Sequence, residues 1–174
     1  MRFKGWAVNK LFTIGYEGAN LEDFIETLRL VEVDMLLDVR ELPASRRKGF
    51  SKNALREALE AVGISYRHER LLGSPKTMRH ELRETWDYDK FFAAFDQHLE
   101  QQAGLIQQLA ESLVGHIVLL CFERDHKECH RTPVAEKIAE FTGVKPRHIG
   151  VQGHDQRQRY KNQGAYSRKG LSPA

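Results

Sequence analysis

Lys10 to Val39 reads KLFTIGYEGANLEDFIETLRLVEVDMLLDV, and this stretch decides the fold. Lys10 to Ile14 is a short apolar strand, which Gly15-Tyr16-Glu17-Gly18 interrupts with turn residues. Asn20 offers a helix N-cap, and Leu21, Phe24, Ile25, Leu28 and Val31 follow at helical spacing. Met35-Leu36-Leu37-Asp38-Val39 is then a nearly continuous apolar run, as a parallel strand covered on both faces requires. Strand, crossover helix and strand make a βαβ unit, whose crossover is expected to be right-handed.

The same alternation continues outward. Ile64 to Arg67 reads as a third strand, Ile117 to Cys121 as another buried one, and Arg147 to Val151 as the last. Between them, Ser51 is expected to cap a helix running through Leu55 and Leu59 to a Gly63 stop. Asp87 to Leu113 is a long, mixed helical region. Thr132 as N-cap with Pro133 at the first helical position opens a final helix that Gly143 closes. The expected fold is α/β, a three-layer sandwich with a mostly parallel sheet.

With 174 residues the chain suits one domain, expected over residues 1–151. Residues 152–174 read as a basic tail. Arg157, Arg159, Lys161, Arg168 and Lys169 outweigh the single acid Asp155 there, so the net charge of +3 is concentrated in this segment. Such a tail is either a solvated, disordered end or an arm that touches nucleic acid, with Tyr160 and Tyr166 able to stack on bases.

Composition excludes several classes. A chain 41% hydrophobic and 29% charged is ordinary for a globular protein. The longest apolar run, Ile117 to Phe122, is far below the ~20 residues of a membrane-spanning helix. Met1 to Lys10 lacks the apolar segment of a secretory signal. Cys121 and Cys129 are too few for a disulfide framework and fit free thiols in a reducing compartment. A cytoplasmic protein with no membrane partner is expected.

Three of the apolar strands end in polar residues: Tyr16-Glu17, Asp38 with Arg40, and Cys121 with Glu123. Ligands of open α/β sheets bind in the crevice outside strand carboxyl ends, so these residues are candidates to converge there. The loop Phe122 to Arg131 leads into a helix N-terminus, which favours anions. His130 and Arg131, joined by Arg40 and Arg46 from the opposite loop, then form a candidate site for phosphate or carboxylate, the arginine fork binding two oxygens at once. Basic residues clustered at a strand end repel one another, which favours a functional Arg40 and Arg46. Arg47 and Lys48 read as solvated. Tyr16 either stacks on a ring or caps the core. His68, His80, His98, His116 and His148 follow no usable pattern.

Three residues are candidates for catalysis. Cys129, next to a helix N-terminus, His130 and Arg131, is expected to have a lowered pKa and a nucleophilic thiolate; the alternative is a cysteine packed beneath the loop. Asp38 with Glu17 or Glu123 makes a carboxylate pair for acid–base or glycosidic chemistry, unless Asp38 instead orients Arg40 or Arg131. Cys121 does not begin a phosphatase or rhodanese cradle, because Lys127 stands six residues on where those need arginine. Cys121, His126, Cys129 and His130 lie close enough in sequence to suggest zinc. No Cys-x-x-Cys pair exists, however, and Cys121 ends a buried strand, so no metal and no cofactor is expected.

Several of these motifs occur together in one family. Thr13-Ile14-Gly15-Tyr16-Glu17-Gly18, Asp38-Val39-Arg40 with Pro43, Ser45-Arg46 and Gly49-Phe50, Leu72-Gly73 with Pro75, and Leu120-Cys121-Phe122-Glu123 with Cys129-His130-Arg131 resemble the bacterial and archaeal family Domain of Unknown Function 488. The resemblance spans roughly Leu11 to Ile149. It implies the α/β fold and points to the same residues, and it implies no reaction. The residues themselves point first to an enzyme acting on a phosphate-bearing substrate, a nucleotide or nucleic acid. A non-catalytic binding module for the same ligands is the competing class, and a thiol redox protein centred on Cys129 is a third.

Overall fold

A computed structural model of the chain describes residues 7–154. Among the described residues, five strands form one parallel sheet: β1 (Val8–Gly15), β2 (Met35–Asp38), β3 (Ser65–His68), β4 (Gly115–Cys121) and β5 (Pro146–Ile149). Their order across the sheet is β3-β2-β4-β1-β5. The helices are α1 (Leu21–Leu30), α2 (Lys52–Glu60), α3 (Lys76–Thr85), α4 (Tyr88–Gln101), α5 (Ala103–Ser112) and α6 (Arg131–Thr142). Among the described residues none of them is long and apolar enough to cross a membrane.

The period-2 alternation of the strands sends side chains to opposite faces and divides the interior into two cores. Leu11, Leu37, Ile117 and Leu119 pack with Phe95, Leu99, Ile106, Leu109, Val134 and Ile138, which puts α4, α5 and α6 on one face. Phe12, Ile14, Leu36, Val118 and Leu120 pack with Phe24, Leu28, Leu55 and Leu59, which puts α1 and α2 on the other. The architecture is therefore the expected three-layer α/β sandwich.

This topology opens a crevice at the carboxyl end of β4. Its neighbours β1 and β2 pass their chains to helices on one face, whereas β4 passes its chain to α6 on the other. Adjacent connections that part in this way leave the space in which α/β sheets hold ligands.

The local signals hold at Asn20 and Gly143, whereas those at Ser51 and Thr132 do not hold as expected. Asn20 caps α1, its side chain accepting from the Asp23 amide at 2.8 Å. Gly143 ends α6 in the left-handed conformation at φ 73° that glycine adopts without penalty. Ser51 precedes α2 but makes no cap bond; its hydroxyl instead donates to the Ser45 carbonyl at 3.2 Å and ties the loop after β2. Helix α6 begins at Arg131 with His130 as N-cap, two residues earlier than expected. Pro133 is tolerated at the third helical position because that position has no intrahelical acceptor for an N–H. Gln152 is still tied to the body, its amide donating to Thr27 Oγ1 at 2.8 Å. The basic residues expected in the tail, with Tyr160 and Tyr166, lie outside the described residues.

Candidate functional site

A pocket of about 910 Å³ lies at the carboxyl end of β4. Its floor is Tyr16, Cys121, Glu123 and His130, drawn from three segments. Its rim is the loop after β2, from Arg40 to Lys48, together with Arg79 and Arg83 of α3. Leu42 and Phe122, 59% and 44% exposed, add apolar surface at the mouth.

One close approach and one buried anchor bring these segments together. A Cβ on Gly15 would stand 1.8 Å from the Glu123 carbonyl oxygen, so only glycine lets the loop after β4 fold over the end of β1. Arg131, 1% exposed, then anchors that loop from behind. Its guanidinium donates to the Glu123 carbonyl, to the Arg124 carbonyl at 3.3 Å and to Thr13 Oγ1 at 3.2 Å. The buried arginine thus holds backbone, and it does not line the pocket.

Asp38 is also turned away from the pocket. Its carboxylate accepts from Arg40 Nε at 2.8 Å, Arg40 Nη2 at 2.6 Å, the Arg40 amide at 3.2 Å and Tyr66 Oη at 2.6 Å. Arg40 spends Nη1 on Tyr16 Oη at 3.1 Å and the Phe50 carbonyl at 2.8 Å. Burial disfavours charge on this guanidinium, but the hydrogen bonds and charge of Asp38 outweigh it and raise the Arg40 pKa. Burial likewise raises the Tyr66 pKa, assisted by its bond to Asp38. Tyr16, stacked on Phe50 with ring centres 4.4 Å apart, completes this clamp on the loop after β2. Arg40 and Tyr16 touch the pocket while serving chiefly as its framework.

Beneath Phe122 the arrangement differs. Glu123 Oε2 accepts from the thiols of both Cys121 at 3.0 Å and Cys129 at 3.2 Å. His130 places Nδ1 3.4 Å from Cys121 Sγ, and its Nε2 bonds the Val39 carbonyl at 2.7 Å. Burial favours a neutral Glu123 carboxyl, yet the Cys121 hydrogen bond and the His130 charge prevail and hold its pKa below the ordinary value. Burial pushes the Cys129 thiol well above its usual pKa. This runs against the acidified Cys129 expected from its neighbours: at 1% exposure, desolvation outweighs the lowering influence of His130.

The structure brings Tyr16, Arg40, Arg46, Glu123 and His130 to the pocket, with Cys129 directly below Glu123. It does not bring Glu17, Asp38 or Arg131. Glu17 is exposed on the far side of the loop, where Oε2 accepts from the Arg124 amide at 2.9 Å. Arg47 and Lys48, expected to be merely solvated, line the pocket as well, although Arg47 also donates to the Ala19 carbonyl at 2.6 Å. Sequence reasoning missed Phe122, Arg79 and Arg83. The arginine pair had a usable signal, since residues four apart share one helix face.

The ligand-type atoms of Cys121, Glu123, Cys129 and His130 all lie within 4.8 Å of one another and together could hold a metal. His126, weighed as a zinc ligand from its position in the loop, instead stacks on His148 with ring centres 3.7 Å apart.

A family model described as domain of unknown function DUF488 matches residues 20–138. The chain belongs to the DUF488 family. The match is narrower than the Leu11 to Ile149 resemblance, and the Thr13 to Gly18 motif lies outside it. No curated protein and no solved structure matches the chain. The DUF488 match covers Asp38, Arg40, Cys121, Glu123, Cys129 and His130, so the thiol–carboxylate cluster and the Asp38–Arg40 pair of the clamp fall inside the family region, while Tyr16 lies outside it.

Proposed function

We propose that this DUF488 protein is an enzyme acting on a phosphate-bearing substrate, a nucleotide or a nucleic-acid strand, bound in the pocket at the end of β4. The observation that carries the reading is a rim of cations over a floor of reactive groups. Arg46, Lys48 and Arg83 line the pocket without a carboxylate partner among the described residues, so their charge is available to an anion. Arg79 is different: Glu41 already pairs with it at 2.7 Å.

Phosphate groups would sit against the rim, and the exposed Phe122 ring would stack on a base. Glu123 is the acid–base candidate, because its carboxylate is held ionised and opens on the pocket. Asp38 takes a positioning role instead: it aligns Arg40, which holds the rim loop through Phe50.

The test is binding and turnover of nucleotides and single-stranded oligonucleotides by the full chain. Affinity is expected to fall with salt, and to fall further in Arg46→Ala with Lys48→Ala. Glu123→Gln is expected to cost roughly 10²–10⁴-fold in turnover while binding persists. Binding without turnover under all conditions would make the protein a binding module. Absence of salt-dependent binding would overturn the phosphate reading.

A further inference from the structure

We propose that Cys121 Sγ, Cys129 Sγ and His130 Nδ1 bind a zinc-class divalent metal at the pocket floor, with Glu123 Oε2 closing a displaceable fourth position. Its role toward a phosphate rests on the proposed function, whereas its existence does not.

The donor set is chemically specific. Two sulfurs, an imidazole nitrogen and a carboxylate oxygen suit tetrahedral coordination of a borderline-soft ion. Zinc sits about 2.3 Å from sulfur and about 2.0–2.2 Å from nitrogen or oxygen, so neighbouring ligands lie roughly 3.3–3.8 Å apart. Here the Cys121–His130 separation is 3.4 Å, and Glu123 lies 3.0 and 3.2 Å from the two sulfurs. Admitting an ion requires Glu123 to part from the sulfurs by roughly a few tenths of an ångström.

A second observation concerns His130. Its Nε2 is held by the Val39 carbonyl at 2.7 Å, which fixes the ring and leaves Nδ1 facing Cys121. A metal-ligating histidine usually has its other nitrogen bonded in this manner. The cluster is also built rather than incidental. Cys121 ends β4, Cys129 and His130 are 1% and 6% exposed, and Arg131 pins the connecting loop to the sheet. An acidic surface cluster has none of this.

Binding balances simply. The divalent ion replaces one proton on each thiol and takes His130 as the neutral imidazole, so the Nδ1 proton of a charged His130 leaves to solvent with the two thiol protons, and no oxidant or reductant is involved. With Glu123 ionised, the loaded site carries one net negative charge. Cys121, Glu123 and His130 line the pocket, and of the four donors only Glu123 is not fully buried, so a ligand approaching from the pocket reaches the carboxylate side. An oxygen of a bound anion that displaces Glu123 would meet the metal there and free the carboxylate to take a proton.

The experiment uses the full chain with both thiols reduced, and the probes are Zn²⁺ and Co²⁺ alone. We expect close to one ion per chain after buffer exchange and protection of both cysteines from alkylation that a chelator removes. The cobalt form should show the thiolate charge-transfer and ligand-field bands of a tetrahedral site. Glu123→Gln should retain the ion with at least a tenfold weaker affinity and altered cobalt bands. Substoichiometric binding by folded, reduced wild-type chain, or cobalt bands without sulfur ligation, would overturn the site. Unchanged cobalt bands in Glu123→Gln would overturn the fourth position. Because no nucleotide is present, failure here and failure of the phosphate reading are told apart.

Discussion

Asp38 ends β2 and Glu123 follows the neighbouring parallel strand β4, and both are carboxylates in the same half of the molecule, yet their surroundings differ. Asp38 is fully buried and receives four donors, three from Arg40 and one from Tyr66. Glu123 receives two thiols on one oxygen and opens on the pocket. The lesson concerns capacity. A carboxylate whose lone pairs are occupied by strong, fixed donors is a strut, while one partnered by weak thiol donors remains open to a ligand. Charge alone does not separate the two.

The largest effect that would break this comparison is on Asp38. Asp38→Ala leaves the Arg40 guanidinium buried without its counter-ion, and a stability loss of about 3–5 kcal/mol is expected in chemical denaturation. A loss below about 1 kcal/mol would show that Asp38 is no strut.

Tyr66→Phe comes next. It removes a hydrogen bond to a charged acceptor and should cost about 1.5–3 kcal/mol. It should also alter the alkaline limb of stability. The folded-state pKa of Tyr66 is raised, so its contribution is complete below the unfolded tyrosine pKa of ~10 and is lost as pH rises above it. The stability difference between wild type and Tyr66→Phe should therefore shrink above about pH 10; a constant difference would place Tyr66 outside the clamp.

The smallest effect belongs to Glu123. Glu123→Gln keeps a carbonyl acceptor for the thiols, so in chelator the folded state should stay within about 1 kcal/mol of wild type. A loss as large as that of Asp38→Ala would make both carboxylates struts and remove the contrast.

Much of the fold was legible because its signals are local. Apolar runs at Leu11–Ile14, Met35–Val39 and Ile117–Cys121, the Asn20 cap and the Gly143 stop each need only neighbouring residues to act. Helix α3 was not legible, since none of its residues is buried and it therefore lacks a strong apolar stripe. The early start of α6 was hidden by Thr132-Pro133, whose local preference for opening a helix is overridden by contacts behind the loop. Thr132 donates to the His126 carbonyl at 2.6 Å, and Cys129 Sγ accepts from the Arg131 amide at 3.5 Å.

The site divides in the same way. By itself the sequence determined that polar residues follow three parallel strands and that their ends share one edge of a sheet, because strand direction and crossover length follow from local pattern. Only the tertiary structure decided which of those residues face the pocket. Asp38 and Arg40 close on each other, Arg131 turns inward to hold backbone, and the close approach at Gly15 folds the loop after β4 so that Cys121, Glu123, Cys129 and His130 meet. Side-chain partners across 91 residues, as between His130 and Val39, depend on strand register and loop packing, and no local preference encodes them.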